Sequence, residues 1–105
     1  MAVPIVAASL KELTEQSLED GYEAEIAALA AGTPGVVQPH NLRTRRIGRS
    51  VAVDLHVRVA GHMRVDEAHG LASEIERKIR ARFGPATFVS IHVEPAPRPA
   101  AGPPA

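Results

Sequence analysis

The fold of this chain is decided by the nine residues VAVDLHVRV, which run from Val51 to Val59. Apolar and polar residues alternate along this stretch, a pattern typical of a β-strand with one buried face and one polar face. Successive side chains of a strand point to opposite sides, so the valines and Leu55 share one face and His56 lies on the other. The sequence therefore predicts a strand here whose apolar face packs against a layer of helices.

The residues that follow predict a helix and then another strand. Over Val65 to Phe83, apolar residues recur at helical spacing, with Asp66 and Glu67 in the first turn and basic residues near the end, as the helix dipole prefers. Gly84 and Pro85 end this pattern. Residues 88–94 then alternate between apolar and polar types, which predicts the last strand.

Two more elements are predicted on the N-terminal side. Residues 8–31 have helical spacing of leucine, isoleucine and tyrosine, carry an excess of acidic residues, and end at a Gly-Thr-Pro-Gly sequence. Residues 36–46 are predicted to be extended. Pro39 lies near the start of this segment, and proline inside a sheet is typical of an edge strand or a strand beginning.

The predicted order of elements is therefore α-β-β-α-β. A three-stranded sheet with two helices on one face, a two-layer α+β sandwich, is the economical way to bury these apolar stripes. We expect residues 1–94 to form a single domain. Residues 95–105 contain five prolines and four alanines, so this segment is expected to be a flexible tail without a packed core.

Composition excludes several classes of function. The chain has 105 residues, twelve basic and twelve acidic, with no cysteine and three aromatic residues. A neutral chain with few aromatic residues is a poor candidate for nucleic-acid binding, and thiolate chemistry is excluded. No apolar run approaches the roughly 20 residues that span a bilayer, so no direct membrane insertion is expected.

The candidate chemistry lies in the histidines, of which there are five. Strand periodicity places His56 on the polar face of its strand, and His92 and Glu94 together on one face of the last strand. If both strands direct their valines into the helix layer, these three side chains emerge on the open face of the sheet. His40 lies near the start of the first strand, and His69 lies at the flank of the apolar stripe of its helix.

Imidazoles and a carboxylate that converge on one face are ligands for Zn²⁺ and its first-row neighbours. Such a site would depend on pH, because histidine binds metal in its neutral form. The alternative interpretation is that these are surface histidines without a ligand role. We expect that alternative for His62, which lies in a connection next to Met63.

Four blocks of the sequence carry a family resemblance. They are HNLRTRRIG at 40–48, VDLHV at 53–57, VDEAHGLA at 65–72 and VSIHVEP at 89–95. In this order they resemble the cytoplasmic C-terminal domain of cation diffusion facilitator transporters. The resemblance implies a ferredoxin-like, metallochaperone-like fold and a V-shaped homodimer that binds divalent cations at and near the dimer interface.

The resemblance also implies a set of metal ligands. Interface ligands of zinc-transporting members match His40, His56, His69 and His92, with a carboxylate at Glu94, where some members carry aspartate. By this analogy His40, His56 and Glu94 hold one metal. A second metal is held by His92, Glu94 and the partner subunit's His69.

The function that we expect is that of a cytoplasmic, dimeric domain that stores, senses or hands over Zn²⁺ or another divalent metal. Cd²⁺, Ni²⁺, Co²⁺, Mn²⁺ and Fe²⁺ could use the same ligands. The alternative is a metal-independent dimeric adaptor. No enzyme is expected, because no catalytic dyad accompanies the histidines. Members of the family carry six membrane helices before this module. We therefore expect either an excised domain or, slightly favoured, a stand-alone relative that could partner a membrane transporter.

Overall fold

The chain folds in the predicted order α-β-β-α-β. The structure is a computed structural model that describes residues 20–97. Its elements are α1 (Asp20–Ala31), β1 (Val36–Ile47), β2 (Ser50–Val59), α2 (Val65–Phe83) and β3 (Phe88–Pro95). The part of the first predicted helix over residues 8–19 lies outside the described residues, as does the predicted tail from residue 98 onward. Pro95, where we placed the start of the tail, is the last residue of β3.

The three strands form one mixed sheet in the order β1-β2-β3. β1 and β2 are antiparallel and are joined by a tight turn in which Gly48 has a φ of 59°. β2 and β3 are parallel, and α2 provides the crossover connection that a parallel pair requires. β2 is therefore the central strand. Pro39 lies on β1, an edge strand, as its presence predicts.

The core lies between the sheet and the two helices. The alternate apolar residues of β2 are all at most 9% exposed. They pack with Ile26 and Ala30 of α1 and with Ile75 and Ile79 of α2. Because both helices contribute to the same buried cluster, they lie on the same face of the sheet, and the predicted two-layer sandwich is confirmed.

A group of side chains joins α1 to α2. The rings of Tyr22 and Phe83 meet edge to face at 5.8 Å between centroids, and the Arg82 guanidinium lies 4.9 Å from the centroid of Phe83. Arg82 also donates a hydrogen bond to Glu25, which raises the pKa of the arginine. These contacts hold the helices side by side and leave the opposite face of the sheet uncovered by either of them.

An extra residue interrupts β1 next to the candidate ligand His40. His40 pairs with His56, but the next paired residue, Arg43, lies opposite Asp54, so three steps on β1 correspond to two on β2. This is a β-bulge. Within the bulge Asn41 has a φ of 53°, a left-handed conformation that asparagine adopts more readily than most residues.

The bulge changes which face His40 occupies. Beyond it, Leu42 packs against the core, and the buried Thr44 donates a hydrogen bond of 2.6 Å to Glu23 of α1. In a regular strand, His40 would share the face of Leu42 and Thr44, since they are separated by even numbers of residues. The extra residue places His40 on the open face while the others point toward the helices.

We expect replacement of Asn41 to test this bulge. Asn41→Val should lower the free energy of unfolding by about 1–2 kcal/mol, because a β-branched residue is strained at positive φ. Asn41→Gly is the matched control and should stay near the parent, because glycine adopts this conformation freely. Urea unfolding at one fixed protein concentration measures both. Equal stability of the valine variant and the parent would contradict the conformation assigned to Asn41.

Candidate metal centre

Three histidines form a row across the open face of the sheet. His56 on the central strand lies opposite His40 of β1 on one side and His92 of β3 on the other. The ring centroids of His40 and His56 are 5.3 Å apart, and those of His56 and His92 are 4.8 Å apart. Strand register thus brings together three imidazoles that are far apart in sequence.

The Glu94 carboxylate lies at the centre of this group. Glu94 is two residues after His92 on β3, and therefore on the same face. Its Oε1 atom accepts a hydrogen bond from His40 Nε2. Its Oε2 atom lies 3.5 Å from His56 Nδ1 and 3.8 Å from His92 Nε2. The single carboxylate therefore contacts or approaches all three imidazoles.

The surroundings of Glu94 favour its charged form. The hydrogen bond from His40 lowers the pKa of the Glu94 carboxyl below its ordinary value. Loss of hydration opposes this shift, whereas the charges of His40 and His56 and a contact from Arg58 support it. Glu94 is thus held as an anionic acceptor, which is the form of a carboxylate that binds a metal.

The donor atoms fit a metal ion. One ligand atom from each of His40, His56 and Glu94 lies within 4.8 Å of the others. Bonds to zinc are about 2.0–2.2 Å long, so small side-chain rotations would bring all three atoms to one ion. Two imidazoles and one carboxylate are a donor set that Zn²⁺ and its neighbours accept, and three protein ligands leave a further coordination position open.

The other predicted ligands, His92 and His69, are not members of this trio. The His92 side chain is 64% exposed, and its Nε2 atom lies 3.8 Å from Glu94 Oε2. His69 is exposed on α2 and lines, together with Glu94, a cleft of about 490 Å³ between α2 and β3. Within one protomer, His69 does not belong to the group of residues whose ligand atoms lie within 4.8 Å of one another. His62 is exposed in the connection before α2, as expected.

Sequence reasoning missed one residue of the site, Arg58. Its Nε lies 3.5 Å from Glu94 Oε1, and its Nη1 donates a hydrogen bond of 3.0 Å to Gln38. The signal was present, because Arg58 follows His56 by two residues and must share its face. Elsewhere on β1, Arg45 forms a salt bridge with Asp54 of β2 at 2.9 Å.

Comparison with known sequences identifies the family. The family described as the cytoplasmic domain of cation efflux proteins matches residues 18–96. This chain belongs to that family. The resemblance seen in the four sequence blocks is confirmed, and so is the cytoplasmic location that the resemblance implied, since the family is defined as a cytoplasmic domain.

Curated relatives are cation-efflux pumps. The cation-efflux pump FieF of Yersinia pestis (strain Pestoides F) is 34% identical over 87 residues, which is 83% of this chain. FieF of Yersinia pseudotuberculosis (serotype O:3, strain YPIII) gives the same values. The chain spans only 29% of the length of these relatives. Within residues 20–97, neither helix combines the length and the apolar character needed to cross a bilayer.

Solved structures have the same fold. A structure of the zinc transporter CzrB aligns with a TM-score of 0.70 and 33% identity, and covers 76% of this chain and 99% of that one. Its zinc form aligns with a TM-score of 0.67 and 34% identity, covering 74% and 89%. A variant of the MamM C-terminal domain, 18% identical, covers 74% and 98% with a TM-score of 0.68 and shows the shared fold.

The shifted pKa of Glu94 predicts how the stability of the metal-free cation-efflux domain depends on pH. A carboxyl whose pKa is lowered on folding stabilises the protein at pH values above its ordinary pKa of 4.5. This stabilisation is lost as the pH falls through the lowered pKa of the folded state. In the presence of chelator, the parent should therefore be more stable than Glu94→Gln at neutral pH. The difference should disappear as the pH falls below 4.5.

Urea unfolding at a series of pH values measures this difference. The hydrogen bond from His40 is the main cause of the shift, so the effect of Glu94→Gln should be smaller in a His40→Asn background. If the difference in stability between the parent and Glu94→Gln persisted unchanged at acid pH, a group other than Glu94 would be responsible for the pH dependence of stability.

Proposed function

We propose that this domain binds divalent cations as a homodimer and thereby senses metal for a cation-efflux system. The observation that carries the proposal is the convergence of His40, His56 and Glu94 on the open face of the sheet. The relatives support it, because they are cation-efflux pumps and a zinc transporter. In the proposed role, the domain binds cytoplasmic metal and reports its level to a membrane transporter.

Zn²⁺ is the first candidate for the bound ion. Its preference for nitrogen and carboxylate ligands matches two imidazoles and Glu94, and no thiolate is available to select a softer ion. Cd²⁺, Ni²⁺, Co²⁺, Mn²⁺ and Fe²⁺ use the same ligand types. Because all the ligands lie near the surface, we expect the ion to exchange with solvent, as a sensing or transfer role requires.

A second metal would require the partner subunit. His92 is largely exposed, and its Nε2 atom lies 3.8 Å from Glu94 Oε2. We propose that His92 and Glu94 bind a second ion together with the partner subunit's His69. The exposure of His69 on α2 supports this role, since an exposed side chain is available to a second copy of the chain.

Metal would act by changing the arrangement of the dimer. A ligand shifts an equilibrium between two conformations only by the difference between its affinities for them. An ion bound by residues from both subunits exists only when the subunits are close, so it binds the closed dimer more tightly than an open one. Filling of the site would then favour the closed dimer, a state that a membrane transporter could detect.

Removal of His56 tests the metal site. Zinc titration calorimetry on the chelator-stripped protein should show saturable binding, at one or two ions per subunit, with light scattering giving the mass of a dimer. His56→Ala should weaken zinc binding by more than about tenfold, because loss of a ligand costs more than loss of an outer-sphere partner. The fold should remain, since His56 lies outside the core.

His62→Ala is the matched control, because this exposed histidine lies in the connection before α2 and should leave zinc binding unchanged. Equal zinc binding by His56→Ala and the parent would refute the ligand assignment. If the parent protein is a dimer but binds no zinc, cadmium or manganese, the metal-independent adaptor would instead be indicated.

His69→Ala separates the two proposed ions. It should reduce the number of zinc ions bound per dimer while the site formed by His40, His56 and Glu94 keeps its affinity. The dimer should also form less readily in the presence of zinc, as measured by light scattering during dilution. Unchanged stoichiometry in His69→Ala would show that the partner subunit's His69 binds no metal.

A further inference from the structure

Arg58 forms a fixed cationic neighbour of the proposed metal site. Arg58 pairs with Gln38 of β1 on one side and with Glu94 of β3 on the other. On the open face of the sheet, these residues form the next row of side chains after the three histidines. Its Nη1 donates to Gln38 at 3.0 Å, and its Nε lies 3.5 Å from Glu94 Oε1. Gln38 therefore holds the guanidinium from one side, and the carboxylate attracts it from the other.

The guanidinium and a metal ion would compete for the same oxygen. Glu94 Oε1, the atom next to Arg58, is also the atom that accepts the hydrogen bond from His40. An ion bound by His40 and Glu94 would therefore lie close to this side chain. Arginine stays protonated at any ordinary pH, so its positive charge opposes a divalent ion under all working conditions.

We propose that Arg58 limits the affinity of this site for divalent cations. It neutralises Glu94 in the metal-free protein, and binding of an ion weakens that ion pair and places two positive groups side by side. The site is thereby set for reversible binding at higher metal concentrations than its ligands alone would require. This inference rests on the proposed function, since it assumes that a divalent ion binds at Glu94.

A role in positioning Glu94 would give the opposite result. If Arg58 served mainly to orient the carboxylate for the ion, its removal would weaken metal binding. Glu94 has other contacts that orient it, however, from His40, His56 and His92. We therefore expect loss of the guanidinium to free a carboxylate that is already in place.

Zinc titration calorimetry on the full, chelator-stripped chain tests the proposal. Arg58→Gln should bind zinc about tenfold more tightly than the parent, equivalent to about 1.4 kcal/mol. Arg58→Lys keeps the charge and should stay close to the parent. Arg43→Gln is the matched control, because Arg43 is an exposed arginine opposite Asp54, one row beyond the histidines on the other side. It should change the affinity less than Arg58→Gln does.

The salt dependence provides a second measurement. A repulsion between charges weakens as ions screen it, so the advantage of Arg58→Gln should shrink when salt rises from about 0.05 M to about 0.5 M. Weaker or equal zinc binding by Arg58→Gln would overturn the inference, as would an equal gain in Arg43→Gln. Failure of the Arg58→Gln prediction would leave the proposed function intact if the parent binds zinc and His56→Ala does not. Absence of zinc binding in the parent and in Arg58→Gln would overturn both.

Discussion

Burial of the apolar face of β2 is the constraint on which the rest of the structure depends. Leu55 and its alternate neighbours are enclosed by both helices, so a slip of one residue would send His56 into the core and valines into solvent. β2 also pairs on both of its edges, which makes it the reference for the register of the sheet. The position of every side chain on the open face follows from this strand.

The open face concentrates its electrostatics on one carboxylate. Glu94 accepts a hydrogen bond from His40, lies within 4 Å of two more imidazoles and is approached by Arg58. In the metal-free protein these groups compensate the negative charge of Glu94. Among them, the arginine is the one group that stays positively charged at any ordinary pH. In the proposed function, a metal ion would have to replace these contacts, and its affinity would be a balance between the three ligands and the competing arginine.

The bulge in β1 shows how a local irregularity serves a site. Leu42 and Thr44 face the helices, and regular alternation would have carried His40 to the same side. One extra residue at Asn41, in a left-handed conformation, reverses the alternation of side chains between the two faces of the sheet. His40 therefore lies on the open face, opposite His56. Sequence analysis placed His40 near the start of a strand and did not anticipate this change. A bulge is defined by two strands together, whereas the segment 36–46 contains only one of them.

The sequence by itself determined the elements and the faces of the regular ones. Periodicity is a local property, so β2, α2 and β3 were predicted to within a residue or two, and His56, His92 and Glu94 were predicted to share one face once the valines were directed inward. Only the tertiary structure decided which side chains are neighbours. Register placed His40, His56 and His92 in one row and set Arg58 against Glu94, because pairing between strands depends on the packing of the whole core and not on the period of any one strand.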